Sequence, residues 1–230
     1  IFGHMSKFTI IVVYSGNTVY DSRNNCNAII ETATNTLIQG CGSSVIPNTV
    51  VSIGDYAFYW CINLTSIDIP DSVTAIGKQA FYVCYSLTGA FKLPSNLISI
   101  GDYAFDNCYN LTGSLTIPKS VKSIGIAPFT SCKGLTSIVV ESGNTVYDSR
   151  NSCNAIIETA TNRLIQGFKS TVMPSTVVII GTSAFENCTG LTGTLSIPSN
   201  VTSIEYRAFY GCSGLTGTLT IPTKVTTIGD

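Results

Sequence analysis

The chain has 230 residues, 11% of them charged, and a formal net charge of −1, against roughly a quarter charged in an average globular domain. There is no basic field to gather phosphates, which excludes a nucleic-acid partner, and no run approaches the roughly 18 apolar residues of a membrane span. With 29 Thr, 26 Ser and 44% hydrophobic residues, hydroxyls replace charges as the polar coat of a chain too apolar to stay unfolded.

Residues 1–7 (IFGHMSK) read as a tag or cloning remnant. They hold His4, the only histidine, so no His-based catalytic or metal site is expected. From residue 8 to residue 230 the chain reads as one solenoid. A variant segment at about 14–46 opens it, and its twin lies at about 141–173. Residues 15–41 and 142–168 match at 24 of 27 positions, differing only at Asn25/Ser152, Thr36/Arg163 and Cys41/Phe168. Each predicts strand, turn and strand, a hairpin standing in for part of an ordinary turn. Elsewhere a unit of 23–24 residues repeats: Ile-Pro-x-x-Val-x-x-Ile-Gly-x-x-Ala-Phe-x-x-Cys-x-x-Leu-Thr. Its prolines fall at 47, 70, 94, 118, 174, 198 and 222, and its cysteines at 61, 84, 108, 132, 188 and 212. The array stops within a repeat at Asp230 and reads as a piece of a longer one.

One unit explains its own shape. Leu64, Ile67 and Ile69 alternate, which turns Ser66 and Asp68 outward from an extended strand. Pro70 ends the strand because it has no N–H to donate. Val73 and Ile76 return inward, and Gly77 is expected at a tight corner. Ala80, Phe81 and Cys84 suit a short helical or 3₁₀ piece that seats the ring in the core. A single unit has nothing to bury its apolar face against, so neighbours must stack.

Leu-x-x-Ile-x-Ile-Pro alternating with Ile-Gly-x-x-Ala-Phe-x-x-Cys resembles the BspA-type leucine-rich repeat over residues 8–230. The hairpin variant with Asn-Thr-Val-Tyr-Asp-Ser-Arg-Asn is similar to segments in Bacteroides-like members. The resemblance implies a right-handed leucine-rich repeat solenoid, with a parallel β-sheet on the concave face and short 3₁₀, helical or extended segments on the convex side. It also implies an extracellular or cell-surface protein, without catalysis, that adheres to host or microbial surface and matrix proteins. Glu205 replaces the corner glycine and Pro128 the alanine before Phe129, so local distortion is expected at both.

Chemistry has few candidates. No Cys-x-x-Cys pair exists for a metal finger. The six repeat cysteines should be buried, reduced thiols acting as small apolar residues. Cys26, Cys41 and Cys153, in the hairpin modules, are expected to be the more exposed and reactive. Asp21-Ser22-Arg23-Asn24-Asn25 fails the calcium-loop pattern and reads as a turn. Asp68 with Asp71, or Asp102 with Asp106, lie close in sequence but follow no repeat logic. No metal, cofactor or catalytic residue is predicted.

Two surface stripes are candidates for binding. The strand face carries Ser66, Asp68, Lys92, Ser114, Thr116, Thr194, Ser196, Thr218 and Thr220, a flat and nearly uncharged surface that suits a protein partner. An aromatic stripe pairs Tyr59 with Tyr82, Tyr85 with Tyr109 and Tyr56 with Tyr103 by repeat position, beside Trp60, the only tryptophan. Stacked rings suit a glycan or a protein hot spot. A structural spacer presenting another domain is the reading that uses neither stripe.

Overall fold

The computed structural model describes residues 8–230; residues 1–7, with His4, lie outside the described residues. The chain winds as a parallel β-solenoid of about eight turns with almost no helix. Its sheets differ in placement from the expectation. The Leu-x-x-Ile-x-Ile stretch forms paired strands in the middle of the array, where Gly89–Ala90, Leu111–Ile117 and Leu135–Val140 run in parallel. The longer ladders lie on the Val-x-x-Ile stretch. Ser52–Ile53, Ala75–Ile76, Ser99–Ile100 and Ser123–Ile124 pair in parallel on one side, and Ile179–Ile180, Ser203–Ile204 and Thr227–Ile228 on the other.

No helix forms at Ala-Phe-x-x-Cys. Its N–H groups alternate between the same turn and the next one. Ala57, Tyr59 and Cys61 donate to Gly54, Tyr56 and Phe58, closing consecutive four-residue turns. Tyr56, Phe58 and Trp60 donate instead to Lys78, Ala80 and Tyr82 at 2.7–2.9 Å. A helix would spend all these donors internally and leave the neighbouring turn's carbonyls buried and unpaired. The alternation puts Tyr56 and Trp60 at φ 61° and 58°, a left-handed conformation that costs a non-glycine residue about 1 kcal/mol. Every turn repeats that cost, and the inter-turn ladder offsets it.

Columns of identical residues fill the interior. Phe58, Phe81, Phe105 and Phe129 stack with centroids 4.9, 5.0 and 5.5 Å apart and planes within 12°, and Phe185 stacks on Phe209 at 5.2 Å. Four of the six repeat thiols do more than fill space, Cys212 among them, which donates to the Phe185 carbonyl at 3.0 Å. Cys84, Cys108 and Cys132 donate S–H to the carbonyls of Phe58, Phe81 and Phe105, one turn back, at 3.1–3.2 Å. Cysteine recurs because a side chain this small and apolar still carries a weak donor.

Gly77 stands at the expected corner, where strand Ala75–Ile76 gives way to a turn closed by Ala80 N to Gly77 O at 3.4 Å. A Cβ there would lie 2.5–2.7 Å from Asp55 and from the Gly54 carbonyl carbon, so glycine is required by the close approach of the preceding turn. Neither substituted position is distorted. Glu205 keeps the ladder, donating its N–H to Ile180 at 2.9 Å, while its carboxylate forks onto Arg163 and accepts from Thr182 N and Oγ1 at 3.0 and 2.8 Å. Arg163 is one of the three differences between the twin segments, so the two exceptions compensate each other. Pro128 is the second residue of a turn closed by Thr130 N to Ala127 O, where proline is favoured. Its carbonyl still accepts from Phe105 N at 2.8 Å.

Each twin segment folds as three short antiparallel strands, Tyr20–Asp21, Ala28–Glu31 and Thr36–Gly40 in the first, Tyr147–Asp148, Ala155–Glu158 and Arg163–Gly167 in the second. The last strand of each then joins the parallel ladder. Gly40 and Gly167 end the hairpins because a Cβ there would fall 2.1 Å from the rings of Phe58 and Phe185. Asp21 is held by Arg23, whose Nη1 reaches Asn35 Oδ1 at 2.7 Å, and Asp148, Arg150 and Asn162 repeat the clamp. That guanidinium holds the Asp21 carboxyl below its ordinary range.

Candidate functional site

The strand-face residues emerge where alternation puts them. Ser66, Asp68, Lys92, Ser114, Thr116, Thr194, Ser196, Thr218 and Thr220 are all exposed; of the residues that alternate with them, Leu115 and Ile117 are buried, Ile67 and Leu195 half-buried and Leu219 exposed. Ser114 pairs in register with Ser137, and Thr116 with Val139. The result is a face of short hydroxyls whose only charges among these nine are Asp68 and Lys92.

The aromatic stripe is divided by the structure. Tyr59 stacks on Tyr82 with centroids 5.1 Å apart and planes 9° from parallel, and Tyr56 meets Tyr59 edge-on at 5.7 Å. Trp60 and Tyr82 are half-buried beside them. Tyr85 and Tyr109 are exposed; Lys133 Nζ lies 5.2 Å over the Tyr109 ring, and the Tyr109 hydroxyl donates to Asn107 at 2.6 Å. Tyr103 does not join Tyr56, because Gln79 occupies that position in the intervening turn. Its neighbours are Ser183, Glu186, Asp102 and Asp106; burial chiefly pushes its phenol up. A second cluster escaped the sequence reading: Arg207 lies between Tyr206 and Tyr210, at 5.2 and 4.9 Å from their ring centroids. Tyr210 shares the repeat position of Tyr59 and Tyr82, which was the available signal.

The paired aspartates separate into structural roles. Asp71 accepts from Ser95 N at 2.7 Å and Asp102 from Ile126 N at 2.7 Å, each tying its turn to the next. Asp106 is buried. Among the described residues, no group of three or more His, Cys, Asp or Glu is arranged to hold a metal ion.

All nine cysteines are free thiols. The hairpin cysteines are not the exposed ones: Cys26, Cys41 and Cys153 are at most 1% accessible, because the hairpin strands fold over them into the solenoid interior. Burial pushes the Cys26 and Cys153 thiols up, Cys61 to about 12, and Cys84, Cys108 and Cys132 well above the ordinary range. A disulfide reagent such as Ellman's should therefore titrate these thiols slowly in native buffer and all nine at once in denaturant. Rapid native labelling of Cys26 or Cys153 would contradict the hairpin packing.

The sequence profile of the BspA-type leucine-rich repeat region matches residues 40–156 and 155–230 in six copies. The chain belongs to the BspA-type leucine-rich repeat family. Solved leucine-rich repeat structures share the fold. One is a leucine-rich repeat protein from Eubacterium ventriosum, 25% identical with a TM-score of 0.63 over 80% of this chain and 54% of that one. A second is the pneumococcal vaccine antigen PcpA, 26% identical with a TM-score of 0.63 over 79% of this chain and 50% of that one. The leucine-rich repeat protein of T. pallidum is 26% identical with a TM-score of 0.50, covering 95% and 86%. This BspA-type chain thus spans about half the length of the first two. No curated protein sequence matches it. BspA-type repeats are generally noncatalytic modules of bacterial surface-type proteins, consistent with a protein-binding or structural role.

Proposed function

We propose that this chain is a noncatalytic adhesion module of a bacterial cell-surface or secreted protein, and that its strand face engages host or microbial surface and matrix proteins. The observation that carries the reading is the exposure of every predicted strand-face residue, set in mid-array above the buried Leu115 and Ile117. Short hydroxyls with few charges give a partner a flat surface that is inexpensive to desolvate and rich in both donors and acceptors. Likeness to a vaccine antigen supports the surface location. Membership of a family of surface-type repeats supports the protein-binding role.

The exposed rings of Tyr85 and Tyr109 favour a second reading, glycan binding along the stripe that includes Trp60. The stacked Tyr59–Tyr82 pair already uses one face of each ring, which weakens that reading at its centre. Biolayer interferometry against immobilised matrix proteins, beside a glycan array, separates them. Saturable binding to a matrix protein is expected. Thr116→Arg, at an exposed position, should weaken it by about tenfold or more by standing a long cation in the centre of the face. Saturable glycan binding lost in Trp60→Ala would transfer the function to the aromatic stripe. No saturable binding of either kind would leave the spacer.

A further inference from the structure

The second twin segment covers a turn whose near-copy is the last of the array. Strand Leu135–Val140, which leads into that twin, runs beside Leu111–Ile117, with Ile138 opposite Leu115 and Val140 opposite Ile117. Beyond the strands, Asn144 Nδ2 donates to the Pro118 and Val121 carbonyls at 3.1 and 3.0 Å. Ile124 N donates to the Tyr147 hydroxyl at 2.9 Å. Residues 215–222 repeat residues 111–118 at seven of eight positions, differing only at Ser114/Thr218. The backbones agree as well, since Gly113 and Gly217 have φ of 80° and 82°. Among the described residues nothing lies over this last turn. Leu219 is 61% exposed where Leu115 is 1% exposed, and with Phe209, Ile221 and Ile228 it lines a hollow of about 590 Å³.

The first twin, at the other end, has the form of the matching cover. Residues 8–13 (Phe-Thr-Ile-Ile-Val-Val) stand where Leu135–Val140 stand. They are held to their twin in the same way, Val13 N on Ser22 Oγ as Val140 N on Ser149 Oγ, each at 2.9 Å. Asn17 Oδ1 accepts from Val19 N and Tyr20 N, as Asn144 Oδ1 does from Val146 N and Tyr147 N. The loop is therefore preformed, yet its outer side is bare: Tyr20 is 38% exposed where Tyr147 is 4% exposed. Phe8, Ile10, Val12 and Tyr14 are exposed beside it. A strand of this kind also gives Leu-Thr-Gly-x-Leu its best partner. Against Leu135–Val140 that stretch forms five residue pairs. Against a further copy of itself it forms the single bridge of Gly193 with Leu215.

We infer that the last turn of one copy docks on the first twin of a second copy, head to tail. Residues 8–13 then lie beside 215–221, and the Tyr20 hydroxyl accepts from Ile228 N as Tyr147 does from Ile124 N. Apolar side chains on both ends leave water together. Two bonds of the internal contact have no counterpart, since Tyr14 replaces Glu141 and Thr226 replaces Lys122. Both bonds are exposed, where such contacts contribute little. Because the two faces differ, the contact repeats along an open row instead of closing as a symmetric pair. Thr218 and Thr220 stay outward, as Ser114 and Thr116 do beneath the second twin, so the strand face continues from copy to copy. The contact does not depend on the adhesion reading.

Sedimentation velocity of the whole chain tests this, with dimers and longer rows expected as the concentration rises to about 100 μM. Tyr20→Lys and Leu219→Lys, on opposite ends, should each weaken self-association by about tenfold or more, because docking would bury an unpaired charge. Mixed in equal amounts, the two variants should form dimers and nothing longer, since one keeps an intact last turn and the other an intact first twin. Tyr20→Phe should weaken association by about fivefold, the loss of one hydrogen bond. Thermal melts of each variant confirm the fold. A chain that stays monomeric throughout, or association lost in only one lysine variant, would overturn the proposal. So would a mixture of the two that stays monomeric, or a Tyr20→Phe chain that associates as the wild type does.

Discussion

Truncating Phe105 to alanine is expected to destabilise the solenoid by about 3–5 kcal/mol, the range for a fully buried aromatic ring. The ring is 0% exposed. It stacks on Phe81 at 5.0 Å and Phe129 at 5.5 Å, and meets Phe91 edge-on at 4.9 Å. Its loss removes three aromatic contacts and leaves a cavity that the structure is poorly able to collapse. The backbone on either side is held by inter-turn bonds, Phe81 N to Ala104 O and Phe105 N to Pro128 O, at 2.7 and 2.8 Å. Phe209 provides the comparison. It occupies the same repeat position but is half-buried, with the Phe185 ring at 5.2 Å as its stacking partner. Phe209→Ala should cost about half as much. Urea midpoints at constant slope measure both. Equal losses would show that the stacked column adds nothing beyond the repeat position itself.

The reason the column could be anticipated is that stacking copies every inward position once per turn. Phe, Cys and Leu recurred at a fixed interval, and a residue that recurs so must face its own copies. The strand face was legible for the same reason, through alternation about Leu64, Ile67 and Ile69. Backbone choices were not. Ala80, Phe81 and Cys84 carry the spacing of a short helix, and the preference for tandem turns comes from the carbonyls of the neighbouring turn, which no local pattern displays. The corner at Gly77 was legible, but the close approach of the preceding turn that excludes a side chain there was not. Cys26, Cys41 and Cys153 sit among polar residues, and only the fold of the hairpin over the interior shows that they are buried. The Arg163–Glu205 pair joins residues 42 apart, beyond reach of any single-turn reading. Its two members were visible separately, as a twin mismatch and a missing glycine.

Asp106 gives the solenoid a pH dependence of unusual sign. It stands at the repeat position of Tyr59, Tyr82 and Tyr210, 8% exposed, with Oδ1 lacking any partner. Burial, then the nearby Glu186 carboxylate, push its carboxyl up to about 7, against the weaker opposing pull of the Asn107 N–H. The unfolded chain releases this proton near 3.8. Between those values the folded state binds more protons than the unfolded one, so stability falls as pH rises. The penalty is absent below about pH 4 and complete above about pH 7, where the gap corresponds to at most about 4 kcal/mol. Asp106→Asn keeps the shape without the charge. It should leave stability nearly unchanged at pH 4 and raise it by about 2–4 kcal/mol at pH 8. The neighbouring phenols of Tyr82, Tyr103 and Tyr109 are all pushed up by burial, so they stay neutral across this range and do not compete. Glu186 is itself paired with Arg207 at 3.5 Å. Glu186→Gln should therefore shift the wild-type transition to lower pH without removing it. Thermal melts of the three proteins from pH 4 to pH 8 decide the matter. A stability difference between wild type and Asp106→Asn that stays flat across that range would mean that the buried carboxyl takes up no proton on folding.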